Sequence, residues 1–258
     1  MPTAPPVDLH AAAAELGVHY QTAYRWVRTG RLPAVKVAGR YQVDRSALER
    51  FAHDRAAPSA VPTPGPRRLS GQAERMHEAL VAGDDTTARR IARRLDEEGA
   101  TISDVITEVL SPPLQRIGQA WRDGELSIWV EHRATAIVER ILGELTPTPR
   151  GRRRGTVVVA AVSGDLHALP TAMAAATLRA DNWQVEHLGA DVPPEELVHF
   201  CAAHDVSVVA LSLTNVAVAD VAEGLAATLR GAGTPVVLGG AGRSLDDLVA
   251  EVREAVSH

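Results

Sequence analysis

TVVVAAVSGDLHALPTAMAAATLRADNWQVEHLG, residues 156–189, decides the fold of the C-terminal part of this 258-residue chain. It opens on a continuous β-branched apolar run, the pattern of a strand buried on both faces. A helical stretch follows over about 168–182, then a second strand, WQVEHLG. The alternation continues with helix 193–204, strand VSVVALSL, helix 217–231, strand PVVLGG and helix 243–257. Strands and helices in this order predict a parallel, doubly wound sheet. Such sheets bind ligands at the carboxyl ends of their strands.

Those ends carry the informative residues. The first strand runs into Ser163-Gly164-Asp165-Leu166-His167, the third into Ser212-Leu213-Thr214, and the fourth into Gly239-Gly240. Asp-x-His is the arrangement of a metal-binding imidazole whose other nitrogen is held by a carboxylate. One His holds a free metal poorly, but it can be an axial ligand to a metal already held by a macrocycle. Small residues on the neighbouring strand ends leave room for a long, thin group between sheet and helices.

Working outward, residues 147–155 (PTPRGRRRG) read as a short linker, and residues 71–146 as four helices with short joins, a bundle. Ile102, Val105, Ile106, Val109 and Leu110 form one stripe, resumed by Leu114 and Ile117 after Pro112-Pro113, which should kink or divide that helix. Residues 56–70 carry four prolines and read as a semi-extended linker. The N-terminal block, 1–55, reads as helix, short turn, helix, hairpin, helix, with Asp8 and Asp44 as caps and Ala38-Gly39 at the hairpin. That is the order of a winged helix-turn-helix.

Charge separates the blocks. Residues 1–70 hold 10 Lys/Arg against 5 Asp/Glu, whereas residues 71–258 hold 17 against 27. A basic head on an acidic body suggests a nucleic-acid-binding module joined to something else. Tyr20, Gln21, Tyr24, Arg25 and Arg28 fall at spacings that can share an exposed helix face; Lys36, Arg40 and Tyr41 lie on the wing, in reach of phosphate. No apolar run approaches the roughly 20 residues of a membrane span, and the N-terminus lacks a basic-then-apolar signal. Cys201 is the only cysteine, which excludes an internal disulfide and a CxxC site. A cytoplasmic location is the expectation.

Residues 11–51, AAAAELGVHYQTAYRWVRTGRLPAVKVAGRYQVDRSALERF, resemble the excisionase-like and MerR-like DNA-binding domains. The third block resembles the cobalamin-binding domain family: DLHALP, 41 residues, SLT, 24 residues, then GG. The resemblance implies that His167 is the lower cobalt ligand, replacing cobalamin's own base, and that Asp165 orients it. It also implies that the displaced nucleotide tail lies in a cleft lined by Ser212, Thr214, Gly239 and Gly240. Residues 117–136, IGQAWRDGELSIWVEHRATA, resemble the bundle cap of the CarH/LitR-type light-responsive repressors. That similarity implies that Trp121, Glu131 and His132 surround a 5′-deoxyadenosyl group.

Three positions depart from the pattern. Pro170 stands where the motif has glycine, the usual fifth strand has no counterpart before His258, and Arg122 stands where the photoreceptors carry a second cobalt-ligating His. The expected architecture is multidomain: a winged helix-turn-helix (1–55), a four-helix bundle cap (71–146) and an α/β Rossmann-like, flavodoxin-like parallel-sheet domain (156–258). The expected function is a non-enzymatic, light-responsive transcriptional regulator. Its homo-oligomeric state (dimer or tetramer) and its binding to a double-stranded DNA operator would depend on adenosylcobalamin. The alternatives are a corrinoid methyl-carrier subunit, or a regulator of this architecture using another tetrapyrrole or a partner signal.

Overall fold

The computed structural model describes residues 6–16, 23–24, 26–27, 32–37, 39–56, 66–146, 151–240 and 243–257. The chain divides into two compact units, Met1–Val61 and Pro62–His258.

In the first unit, Asp8 caps α1 (Leu9–Glu15) by accepting from the amides of His10 and Ala11 at 2.8 and 3.0 Å. β2 (Ala34–Val37) and β3 (Arg40–Val43) form the expected hairpin, with Val37 opposite Arg40. A further strand, β1 (Val7–Asp8), pairs with β3 and makes the order β1-β3-β2. Two residues are too few to show a period of two, so this strand left no signal in the sequence. Asp44 accepts from the Ser46 and Ala47 amides at the start of α2 (Arg45–Ala56). Leu9, Ala12, Trp26, Leu32, Val43 and Leu48 form the core, with the Trp26 ring 5.1 Å from that of Phe51.

The second unit begins with the bundle: α3 (Pro66–Ala82), α4 (Asp85–Glu97), α5 (Ile102–Asp104), α6 (Ser111–Arg122) and α7 (Ile128–Leu145). α3 starts inside the proline-rich stretch, with Pro66 at its first turn, where a missing N–H costs nothing. Between α5 and α6 the backbone widens into a π-helical segment, Val105–Leu110. This is how the chain accommodates Pro112-Pro113. Neither proline can donate to the preceding turn, so the helix widens and Ser111 N–H reaches back to the Ile106 carbonyl. The apolar stripe survives: Val105, Ile106, Val109, Leu110 and Ile117 are buried.

The sheet follows, with β4 (Thr156–Val162), α8 (Ala168–Ala180), β5 (Gln184–Val192), α9 (Pro194–Ala203), β6 (Val208–Leu213), α10 (Ala219–Gly231), β7 (Val236–Gly240) and α11 (Leu245–Ala255). All neighbours pair in parallel, in the order β5-β4-β6-β7. β4 is buried along nearly its whole length, as its β-branched run requires. Met173 and Ala176 of α8 are buried in the bundle's own core, with Leu169, Ala172 and Leu245 packed beside them. This shared core seats the bundle over the carboxyl ends of the strands. Among the described residues no helix is long and apolar enough to cross a membrane.

Candidate cobalamin site

β4 ends at Val162, and the turn that follows holds Asp165 fully buried. One carboxylate oxygen lies 2.7 Å from the His167 ring Nδ1 and also accepts from the His167 amide at 3.2 Å. The other accepts from the amides of Thr214 and Asn215, at 2.7 and 3.0 Å. Burial opposes ionisation of this carboxyl, but the Asn215 amide, the His167 ring and the Thr214 amide outweigh it and hold it below the usual range. Asp165 thus ties the loop after β4 to the loop after β6. With Nδ1 engaged by a carboxylate, the ring is set to offer its Nε2 lone pair.

His167 lines an open cavity of about 710 Å³ between α8 and the bundle. The opposite wall carries Trp121, Arg122, Ile128, Glu131, His132 and Thr135. Glu131 mirrors Asp165: it lies 2.7 Å from Nδ1 of His132 and accepts from Thr135 at 3.2 Å. Trp121 is 43% exposed, on the cavity wall and not in the core. Arg122 donates to Gln119 at 2.7 Å, and a guanidinium has no lone pair with which to ligate a metal.

A second cavity, of about 420 Å³, runs between sheet and bundle. Ser212, Thr214, Gly239 and Gly240 line it, and it shares Ser111, Gln115, Pro170, Met173 and Thr214 with the first. A methyl group on Gly240 would lie 2.7 Å from the Leu213 carbonyl, whereas one on Gly239 would make ordinary contact at 3.6 Å. Pro170 sits in the first turn of α8, where the N–H donor it lacks would have had no partner within the helix. All nine sequence-predicted ligand contacts therefore lie on one connected pair of cavities, or, for Asp165, directly beneath it. An imidazole fixed from behind, a roomy chamber above it and a narrow, glycine-edged slot beside it fit a cobalt macrocycle with a displaced tail.

Sequence reasoning missed Asn215 and Asp191. Asn215 donates from Nδ2 to the Gly164 carbonyl at 2.9 Å and accepts from the Ala217 amide at 3.1 Å. Asp191, at φ 56°, accepts from the Gly164 amide at 2.8 Å. Both brace the turn that carries Asp165. An Asn just after a strand and before a helical turn was the available signal for the first.

Of the candidate DNA-contacting residues, Tyr20, Gln21, Arg25 and Arg28 lie outside the described residues, as does the side chain of Arg40. Tyr24, Tyr41 and Lys36 come together: the two rings meet edge-on at 5.8 Å, and the Lys36 ammonium lies 5.7 Å from the Tyr41 ring centre. Tyr24 and Tyr41 are half-buried against the core, and Lys36 is exposed.

Three family comparisons match the chain. Residues 155–255 match a B12 binding domain family, residues 72–146 match a second family described as B12 binding domain, and residues 9–56 match a helix-turn-helix domain family. Two stretches of the chain thus match B12 binding domain families, and a third matches a helix-turn-helix family. It is similar to two HTH-type transcriptional repressors of Myxococcus xanthus, CarA and CarH. Each is 31% identical over 69% of this chain and 62% of the relative. The chain thus spans about six tenths of the length of these relatives. The monomethylamine corrinoid protein of Methanosarcina barkeri has a similar fold, with a TM-score of 0.56 at 20% identity over 72% of this chain and 96% of that one.

Proposed function

We propose that this chain is a cobalamin-dependent transcriptional regulator, not an enzyme. The observation that carries the reading is the Asp165–His167 pair, aimed into a chamber roofed by Trp121, in a chain whose other unit matches a helix-turn-helix family. His167 would hold the cobalt through Nε2, and Asp165, 2.7 Å from Nδ1, fixes the tautomer and orientation of the ring. Ser212, Thr214, Gly239 and Gly240 receive the nucleotide arm. Trp121, Ile128 and the Glu131–His132 pair border the upper group, for which 5′-deoxyadenosyl is our candidate. Bound cobalamin of this kind supplies a light-sensitive cobalt–carbon bond. The winged head reads a double-stranded operator through Tyr20, Gln21, Tyr24, Arg25 and Arg28, with Lys36, Arg40 and Tyr41 on phosphate. A single module of this size has a small footprint, so specific binding needs several at set spacing. Control of homo-oligomerisation by the corrinoid is then sufficient to control operator affinity.

A methyl-carrier role requires an upper face open to a partner enzyme. Trp121 and Ile128 stand on the wall of the chamber on that side, and a helix-turn-helix unit has no use in such a carrier. The test is to add adenosylcobalamin to the purified chain in the dark, record absorbance, illuminate, and measure binding to DNA fragments selected from a random pool. Spectra of imidazole-ligated cobalt with corrinoid-dependent DNA binding are expected. Corrinoid uptake without any effect on DNA binding would overturn the regulatory reading. No uptake would overturn the cobalamin reading.

A further inference from the structure

The lower cavity is edged by Gly239 and Gly240 and lined by hydroxyls, Gln115 and apolar side chains. Its described lining holds a single ionisable side chain, Arg243. The position of Arg243 is fixed by the main chain, since its amide donates to the Gly240 carbonyl at 3.2 Å. Its Nη1 lies 2.5 Å from both oxygens of Glu251. That leaves Nε and Nη2 without a hydrogen-bond partner among the described residues, on a side chain 48% exposed at the cavity's edge. A planar guanidinium can hold a carboxylate on one edge and a phosphate on the other. Glu251 already shares this cation and Asp247 lies within its electrostatic reach, so the free edge of the guanidinium suits a singly charged anion, such as a phosphodiester, better than a multiply charged one.

We propose that Arg243 recognises the phosphodiester of the corrinoid's nucleotide arm, and so selects complete corrinoids over those lacking the arm. This rests on the cobalamin reading above and adds a specificity-determining residue to it. Burial of the remaining arm is left to the glycine-edged slot. Arg243 contributes only where a phosphate is present, so its effect must vanish when the ligand carries none.

The test compares cobalamin with cobinamide, which has no nucleotide arm, on the full chain and on Arg243→Gln. Affinities are read by absorbance and by quenching of tryptophan fluorescence. Arg243→Gln is expected to weaken cobalamin binding about tenfold and leave cobinamide binding unchanged. Glu251→Gln, which frees the guanidinium, is expected to tighten cobalamin binding and again leave cobinamide unchanged. Equal effects on both ligands, or none on either, would overturn the role of Arg243 while leaving the cobalamin reading standing. Failure of the parent chain to take up either corrinoid would overturn the cobalamin reading itself, and this proposal with it.

Discussion

Asp165 and His167 are joined twice, ring to carboxylate at 2.7 Å and amide to carboxylate at 3.2 Å, through the same oxygen. The second oxygen is committed to Thr214 and Asn215. A fully buried carboxylate with four donors is therefore both the orienting group for His167 and a clamp between two loops of the sheet.

Asp165→Asn tests this double role. A carboxyl held below its usual range contributes stability that is complete above that range and is lost as pH falls through the lowered folded-state value. Replacing it leaves buried amides short of a charged acceptor, a loss of about 1–3 kcal/mol at pH 7. Urea unfolding should show a constant gap between parent and variant from pH 5 to 8, narrowing below about pH 4. A gap that does not change with pH would mean that the ionised form is not what stabilises the loops.

The two glycines at the end of β7 should respond differently to alanine. Gly240→Ala sets a methyl group against the Leu213 carbonyl on the paired strand, so strand or slot must shift. Overpacking of this kind costs roughly 1–3 kcal/mol. It should lower both the melting temperature and corrinoid affinity. Gly239→Ala meets only ordinary contact and should leave stability nearly unchanged. Equal behaviour of the two variants would remove the close approach of β6 and β7 as a constraint on the site.

In the winged head, Arg25→Ala or Arg28→Ala should lower operator affinity by roughly 1–3 kcal/mol while corrinoid uptake stays intact. Both residues come from the sequence reading alone. DNA binding equal to the parent's in a salt-controlled assay would exclude this helix as the reader.

Trp121 on the chamber wall is placed to register the upper group. Adenosylcobalamin in the dark should give a different oligomer from the apo or illuminated chain. Trp121→Ala should blunt that difference. Moving such an equilibrium from 1:99 to 99:1 needs about 5.5 kcal/mol of differential binding. Light scattering after size-exclusion chromatography reads the mass directly. One mass in all three states would end the assembly switch.

After illumination, Arg122 at the position of the expected second His predicts that no stable bis-imidazole adduct forms. A bis-imidazole spectrum would contradict this and point to His132, the other imidazole on that wall.

The sequence by itself determined the strand–helix alternation, the parallel sheet it builds and the Asp165-x-His167 pair at the end of the first strand. Period, β-branched runs and the Asp165-x-His167 spacing are local properties, and local properties survive in one dimension. It did not determine the two-residue strand Val7–Asp8, which exists only because β3 offers it an edge. Nor did it show how the chain passes Pro112-Pro113, because widening into a π-helical segment depends on keeping Val105, Val109 and Ile117 in one core. Only the tertiary structure brought Asn215 and Thr214 to Asp165 across some fifty residues, and turned Trp121 onto a chamber wall. Those relationships arise because α8 shares its core with both sheet and bundle, which fixes the distance between a strand-end loop and a helix face that no spacing in the chain encodes.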